Sequence, residues 1–272
     1  HYVGEYLFMM FAASTPLPPK VWKLMGNFGS RLFFYNTNAR VKSEDELVQQ
    51  VLGSTHKQKE LVCRDITERF LQTLWFSYKD GIEWDRASDD ESAVRIIARC
   101  ALLLSRLRAP MNVWRDRSVE DGTEYSYNSP NIEMPNRINQ LFYNIARGHA
   151  IAAGRTKINF DDLKPIIEIA FDSTASSRSM ILRNLIECGG KMSTSEVERV
   201  LDQTKPTALK EMEILRLLKV CRISQDSYGG VGEPEKEIHL KEDLQWFLSD
   251  ECKRIRGIPL PPKQEPLLGG DG

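Results

Sequence analysis

Hydrophobic positions along this chain fall mostly at helical spacing, with a few short apolar runs that suit strands instead. Leu7–Ala13 and Leu32–Asn36 are brief, rich in Phe, Met and Leu, and bounded by Pro or Gly, which predicts core strands with a short helix over Lys20–Met25 between them. Ser43-Glu-Asp-Glu46 has capping-box spacing, in which a hydroxyl and a carboxylate three residues on satisfy each other's backbone N–H; it predicts a helix to Leu52 that Gly53 ends. Leu61, Ile66, Phe70, Leu74 and Trp75 repeat near the helical period and predict a helix over Lys57–Tyr78 with a core-facing stripe, stopped by Asp80-Gly81. Ser88-Asp-Asp-Glu91 predicts a second capping box, opening a helix through Ile96, Ile97, Cys100, Leu103 and Leu104 to Leu107.

Val113-Trp114 and Glu124–Tyr127 flank a turn-forming Glu-Asp-Gly, so a β-hairpin is expected there as an exposed insertion. Pro135 suits the first turn of a helix reaching Ala153, with Ile138, Leu141, Phe142, Ile145 and His149 on one face and Gly154 as its stop. Asn159 caps the next helix, with Asp162 three residues on and Leu163, Ile166, Ile167 and Ala170 as its stripe. The small polar stretch Asp172–Ser177 reads as a domain boundary. Beyond it come a helix over Ser179–Cys188 ended by Gly189-Gly190, a helix over Ser195–Leu201 capped by Ser193 or Thr194, and a helix over Lys205–Leu218 capped by Thr204. Val220–Leu240 then reads strand, Gly-rich tip, strand, before a last helix over Glu242–Arg256 and a Pro-rich tail, Ile258–Gly272, expected to be disordered. The expected units are residues 1–40, 41–172, 173–257 and the tail from 258 to 272.

Composition narrows the function classes. The 272 residues are 41% hydrophobic and 28% charged with a formal net charge of −1, which fits a globular chain and excludes disordered and fibrous classes. Without a net positive field, any contact with nucleic acid must come from a local patch. Cys63, Cys100, Cys188, Cys221 and Cys252 stand singly, with no Cys-x-x-Cys pair and no histidine at ligand spacing; they read as buried thiols in a reducing cytoplasm, and no metal site is expected. No apolar run is long enough to cross a membrane, so a cytoplasmic location with no membrane partner is expected. The abrupt start on an apolar strand suggests a piece of something longer. His1, His56, His149 and His239 are scattered, and the acidic pairs Asp89-Asp90 and Asp161-Asp162 sit where helix capping explains them, so no independent catalytic constellation emerges.

Arg31 stands between the first two apolar runs, where a guanidinium either pairs with a surface carboxylate or reaches beyond its own fold. Leu7–Arg31 resembles the sensor-1 strand and arginine-finger segment of AAA+ ATPases, and Glu133-Met-Pro-Asn-Arg137-Ile-Asn-Gln-Leu141 resembles the start of their sensor-2 helix. Ala146-Arg-Gly-His-Ala150, Gly154-Arg155 and Ile158-Asn-Phe-Asp-Asp-Leu163 are similar to the lid of the MCM-like and chelatase-like branch, so the resemblance covers most of residues 1–172. It implies a mainly α fold with small β elements, a helical AAA+-type lid followed by a winged helix. It also implies Ser14 or Thr15 as sensor 1, Arg31 as a finger acting on a neighbouring subunit and Arg137 as sensor 2, with ATP and Mg2+ as cofactors of a full-length ring that self-oligomerises. The chain lacks a Gly-x-x-x-x-Gly-Lys-Ser/Thr loop: Gly189-Gly-Lys-Met-Ser193 has Met where the magnesium-binding hydroxyl belongs. It also lacks an apolar strand ending in Asp-Glu. By itself it is expected to bind no cofactor and to hydrolyse no ATP.

Residues 177–240 resemble winged helix-turn-helix domains, which implies a recognition helix starting at Thr204. Thr204, Lys205, Thr207 and Lys210 have the side chains for phosphate and base-edge contact with double-stranded DNA. Against this, ten Lys/Arg face ten Asp/Glu from Thr204 to Arg256, and Glu233, Glu235 and Glu237 make the wing acidic, so duplex DNA binding and protein docking both stand. Trp22, Trp75, Trp84 and Trp246 read as packing residues. Trp114, beside Arg115 and Arg117, reads either as a pore or partner contact or as a cover tucked over the helices. The rival whole-chain reading is a non-catalytic winged-helix regulator with a helical dimerisation domain.

Overall fold

A computed structural model of the chain describes residues 12–13, 32–37, 42–53, 56–115, 125–225 and 235–260. These residues are mainly helical, with two small antiparallel sheets. In chain order the helices are α1 (Glu44–Leu52), α2 (His56–Ser77), α3 (Glu91–Leu107), α4 (Asn136–Ala152), α5 (Leu163–Asp172), α6 (Ser176–Glu187), α7 (Thr194–Leu201), α8 (Lys205–Leu217) and α9 (Asp250–Arg256). β1 (Val113–Arg115) pairs with β2 (Tyr125–Tyr127), and β5 (Lys236–Leu240) lies between β3 (Lys191–Ser193) and β4 (Cys221–Gln225).

Caps account for most of the helix starts. Ser43 and Glu46 form the expected capping box, as do Ser193 and Glu196 at α7, and Asn159 and Asp162 at the 3-10 turn that leads into α5. At α3 the cap is Asp90, whose carboxylate accepts from the N–H groups of Ser92 and Ala93; Ser88 sits instead in a 3-10 turn capped by Asp85. The helix expected over Glu242–Arg256 is broken. Glu242–Leu248 is 3-10, and Ser249 takes an extended conformation and caps α9 by accepting from the Cys252 N–H.

One continuous core runs from Ala93 on α3 to Cys252 on α9 and includes the α5 stripe Leu163, Ile166, Ile167 and Ala170. The stretch expected to separate two units is part of it. α5 ends at Asp172 and α6 already begins at Ser176, and Ser173 and Thr174 between them are buried. Thr174 Oγ1 donates to Leu107 O at 2.8 Å, and Arg178 Nη1 donates to Leu107 O at 2.6 Å and Ala109 O at 2.9 Å, closing the C-terminus of α3, where helix carbonyls lack internal partners. Arg183 bonds Glu168 and Asp172, Arg256 bonds Glu168, and both guanidiniums stack on the ring of buried Phe171. Arg106 donates to Lys219 O and pairs with Asp243 at 2.5 Å. The joint is therefore stapled by arginines on both of its sides.

Several expected core positions lie on the surface. α2 has no buried residue: Leu61, Ile66, Phe70 and Trp75 are all exposed, Trp75 at 76%. Periodicity made this helix amphipathic, but no described element covers its apolar face. Of the cysteines, Cys100, Cys221 and Cys252 are buried, whereas Cys63 on α2 and Cys188 at the end of α6 are exposed. Residues 32–37 form an extended arm with no strand partner among the described residues. Phe33 packs on Phe142 with ring centroids 5.3 Å apart, Phe34 N donates to Ser173 Oγ at 2.8 Å, and Asn36 N donates to Asp172 Oδ2 at 2.8 Å. Lys20–Met25 and Leu7–Phe11 lie outside the described residues.

Candidate nucleic-acid interface

α8 presents its two faces to different surroundings because its sequence divides them. Ala208, Met212 and Leu215 are buried on one side, while Pro206 and Lys210 are exposed on the opposite row, which Glu213 and Leu217 continue. Thr204 is the N-cap in extended geometry, yet its hydroxyl makes no capping bond and instead lies 3.3 Å from the Thr207 hydroxyl. Thr204, Lys205 and Lys210 are exposed and Thr207 is half-buried, so the four residues singled out in the sequence do share the first turns of one helix.

α7 packs against α8, and the three-stranded sheet closes the other side of the unit. β3 was not legible as a strand. It runs through the Gly-Gly-Lys sequence that imitates a phosphate loop, with Met192 buried beneath it. Gly189 and Gly190 take positive φ angles of 72° and 90°, and a Cβ on Gly190 would meet Leu248 Cδ1 at 2.7 Å. Lys191 pairs with Glu237 at 2.8 Å. This loop is therefore a packing turn whose lysine is engaged with β5, and it does not fit a nucleotide phosphate.

The acids of the wing have structural employment. Glu235 Oε1 accepts from Ser195 N at 2.6 Å in the first turn of α7, and the Ser195 hydroxyl first, then this N–H, with smaller help from Ser193 and the nearby Lys205 charge, hold its carboxyl below the usual range. Glu237 faces Lys191 and lies 3.5 Å from His239 Nε2, which also meets Ser224 Oγ at 2.8 Å. Glu233 lies outside the described residues.

The β1–β2 hairpin forms as expected but is not free-standing. Its register places Val113 opposite Tyr127 and Trp114 opposite Ser126. Alternation along a strand then puts Val113, Tyr125 and Tyr127 on one face and Trp114 on the other. Val113 is buried, Trp114 is 48% exposed, and the tyrosine face meets α8 at one point, where Tyr125 Oη donates to Pro206 O at 3.4 Å; Tyr127 is exposed at 43% near the Arg216–Glu213 pair. Trp114 thus faces outward rather than covering the helix pair, and Arg115 occupies the register position opposite Tyr125.

Of the residues expected to act on nucleotide, Ser14, Thr15 and Arg31 lie outside the described residues, as does Arg117 of the hairpin. Arg137 is exposed in the first turn of α4, five residues before Phe142, against which the arm's Phe33 packs. No family model matches the chain, and no curated protein or solved structure shows significant similarity to it. Among the described residues no three His, Cys, Asp or Glu side chains are grouped to hold a metal, and no helix is long and apolar enough to cross a membrane.

Sequence inspection missed one further charged cluster. Asp162 is fully buried and accepts from Arg155 through two bonds of 2.7 and 2.8 Å, from His149 Nδ1 at 2.7 Å, and from Asn159 N at 3.0 Å. Burial pushes its carboxyl upward, but the Arg155, Asn159 and His149 bonds outweigh that and hold it below the ordinary carboxylate range. The signal was the Asn-x-x-Asp capping pattern together with an arginine four residues before it.

Proposed function

We propose that this chain is the C-terminal portion of an AAA+-type ATPase, in which a helical lid carries a winged-helix module that binds double-stranded DNA. The observation that carries the reading is the order helix α6, strand β3, helices α7 and α8, strands β4 and β5, with β5 central in an antiparallel sheet. That order supports a winged-helix reading, on which α8 is the helix offered to a groove. Exposed Lys205 and Lys210 at its start supply the phosphate attraction. The anchoring of residues 32–37 on α4 and α5 supports the wider assignment, because it ties the segment that follows Arg31 to the lid. On this reading the phosphate-cradling loop lies elsewhere in the assembly, and of the described residues Arg137 alone is assigned to the nucleotide, as sensor 2.

Two lysines neutralise few phosphates, so a mixed-sequence duplex should bind in roughly the micromolar range, with a log–log salt slope of about −2 to −3. Lys205→Glu combined with Lys210→Glu should abolish this binding in a fluorescence-anisotropy titration at two salt concentrations. Lys210→Glu alone should account for most of the loss, since Lys205 already shares the field of Glu235. Unchanged affinity in the double variant, or no binding by the unaltered chain at low salt, rejects the DNA reading and leaves protein docking.

A further inference from the structure

Among the described helices, α1 and α2 are the two with no buried residue, yet their sequences are not those of solvated helices. α2 divides at Phe70. All of its Lys, Arg, Asp and Glu side chains come before that residue, where Arg64 pairs with Glu60 and Arg69 with Asp65 along the helix surface. Phe-Leu-Gln-Thr-Leu-Trp-Phe-Ser from 70 to 77 carries no charge. At 3.6 residues per turn, Phe70 with Leu74, Leu71 with Trp75, and Phe76 occupy three different sides of this half, and Phe70, Leu71, Trp75 and Phe76 are 44%, 57%, 76% and 73% exposed. A helix apolar on several sides is one that other elements enclose. α1 is apolar on a single side, where Leu47, Val48, Val51 and Leu52 are exposed.

We propose that α1 and α2 form a homodimer interface, in which the uncharged C-terminal turns of α2 cross those of a second copy and the two α1 helices cover their remaining sides. The amount of apolar surface suits that role. Phe70, Trp75 and Phe76 alone leave roughly 300–500 Å² of ring side chain in water, as much as the largest apolar patch of an ordinary monomer at about 300–600 Å². Leu71 and the four aliphatic residues of α1 bring the total to the order of 800 Å², which is what each partner contributes to a stable interface. A second copy is the occupant that fits. An uncharged patch offers no complement to an acidic or basic partner, but it matches itself, as a two-fold contact requires. One α1, apolar on one side, cannot enclose an α2 that is apolar on three, whereas two copies of each make four helices, enough to close a bundle core. The charged half of α2 then leaves the contact on either side, so its ion pairs stay in water and Cys63 keeps its access to solvent. This interface is independent of the DNA-binding reading of α8.

Sedimentation equilibrium of the 272-residue chain, from about 1 to 100 μM, should show a dimer with a dissociation constant in the micromolar range or below. Leu71→Glu with Trp75→Glu sets carboxylates at the crossing and should weaken the dimer about a hundredfold or more, because a buried tryptophan anchors interfaces of this kind. Since α2 buries nothing within one chain, the circular-dichroism melt of the core should be unchanged in that variant. If the melt does change, Leu47→Glu with Val51→Glu tests the interface from α1 alone and should weaken the dimer about tenfold. Leu102→Glu, at a similarly exposed leucine on α3, should leave it intact. Amide exchange at residues 70–77 should slow as the chain is concentrated and stay fast in the Leu71→Glu, Trp75→Glu variant. A chain that is monomeric at the top of the concentration range overturns the proposal. In that case, amides protected at every concentration put the cover within the same chain, and amides protected at none put it on a different protein. A dimer that survives both glutamate pairs also overturns it, because the contact then lies elsewhere.

Discussion

Arg178→Ala tests whether the helical body and the sheet-bearing unit fold as one. The side chain is 8% exposed and donates to Leu107 O and Ala109 O at 2.6 and 2.9 Å, sealing the end of α3 from the first turn of α6. Each charge-assisted bond contributes about 1.5–3 kcal/mol, and the substitution leaves Ala109 O dry, although Leu107 O keeps the Thr174 hydroxyl. Against that loss stands the relief of no longer burying a guanidinium, which desolvation already weakens as a charged group even with Glu211 nearby. The balance is a loss of roughly 3 kcal/mol for Arg178→Ala and about 2 for Arg178→Met, which keeps most of the aliphatic volume. Arg178→Lys should resemble Met, because a single ammonium on a flexible stem does not reproduce the planar fork at two carbonyls. Urea unfolding followed by far-ultraviolet circular dichroism and tryptophan fluorescence supplies the assay. Both probes should move together in a single transition, because the core is continuous from Ala93 to Cys252. A loss under about 1 kcal/mol, or two transitions of which only one shifts, would refute the buried-joint account.

Other outcomes follow from the same geometry. Asp162 and Glu168 both have carboxyls held below their ordinary range, because arginine bonds outweigh the upward push of burial; their stabilisation is complete only above about pH 5 and is lost as pH falls through the lower folded values. Asp162→Asn should therefore flatten the acid limb of a stability-against-pH curve measured by urea midpoint. Cys63 and Cys188 should react with a chromogenic disulfide reagent in the native chain, whereas Cys100, Cys221 and Cys252 should react only in denaturant; burial shields these three and pushes Cys221 up to about 12 and Cys252 up to about 11. If the ATPase reading proposed above holds, Arg31→Ala in the full-length protein should lower turnover on the order of a hundredfold or more while sparing nucleotide affinity, whereas Arg137→Ala should harm both in parallel turnover and binding measurements.

Elements whose signals are local were legible. The capping boxes at Ser43, Ser193 and Asn159 lie within four residues of chain, and the positions of α1, α5, α7 and α8 followed from them and from apolar spacing. What failed was inference from a local pattern to a distant partner. Leu61, Ile66, Phe70 and Trp75 define a stripe, but a stripe does not state whether anything covers it, and here no described element does. Arg178 fell between the boundary stretch Asp172–Ser177 and the helix expected from Ser179 and drew no reading, because its partners, Leu107 O and Ala109 O, are 71 and 69 residues away. Ser249 interrupts the last helix with two local hydroxyl bonds, donated to Trp246 O and accepted from Cys252 N, which a 3.6-residue periodicity does not register.

The candidate interface was half legible for a related reason. Side-chain types at Thr204, Lys205, Thr207 and Lys210 identified the helix start, but the tally of ten basic against ten acidic residues treated every charge as available to a partner. Glu235 is committed to the Ser195 N–H, and Glu237 and Lys191 are committed to each other, so these charges bear on the folding of the sheet and of α7 more than on an incoming phosphate. Glu213 is likewise held by Arg216. Glu237 and Glu213 are matched by a cation, whereas Glu235 stays ionised beside Lys205, so the start of α8 is less basic than its two lysines suggest and the acidity of the wing remains the main objection to duplex binding. Tyr-Ser-Tyr at 125–127 puts two aromatic rings on one face of β2, a period-two signal visible in the sequence, but the contact that brings Tyr125 Oη to Pro206 O joins residues 81 apart, which no local pattern records.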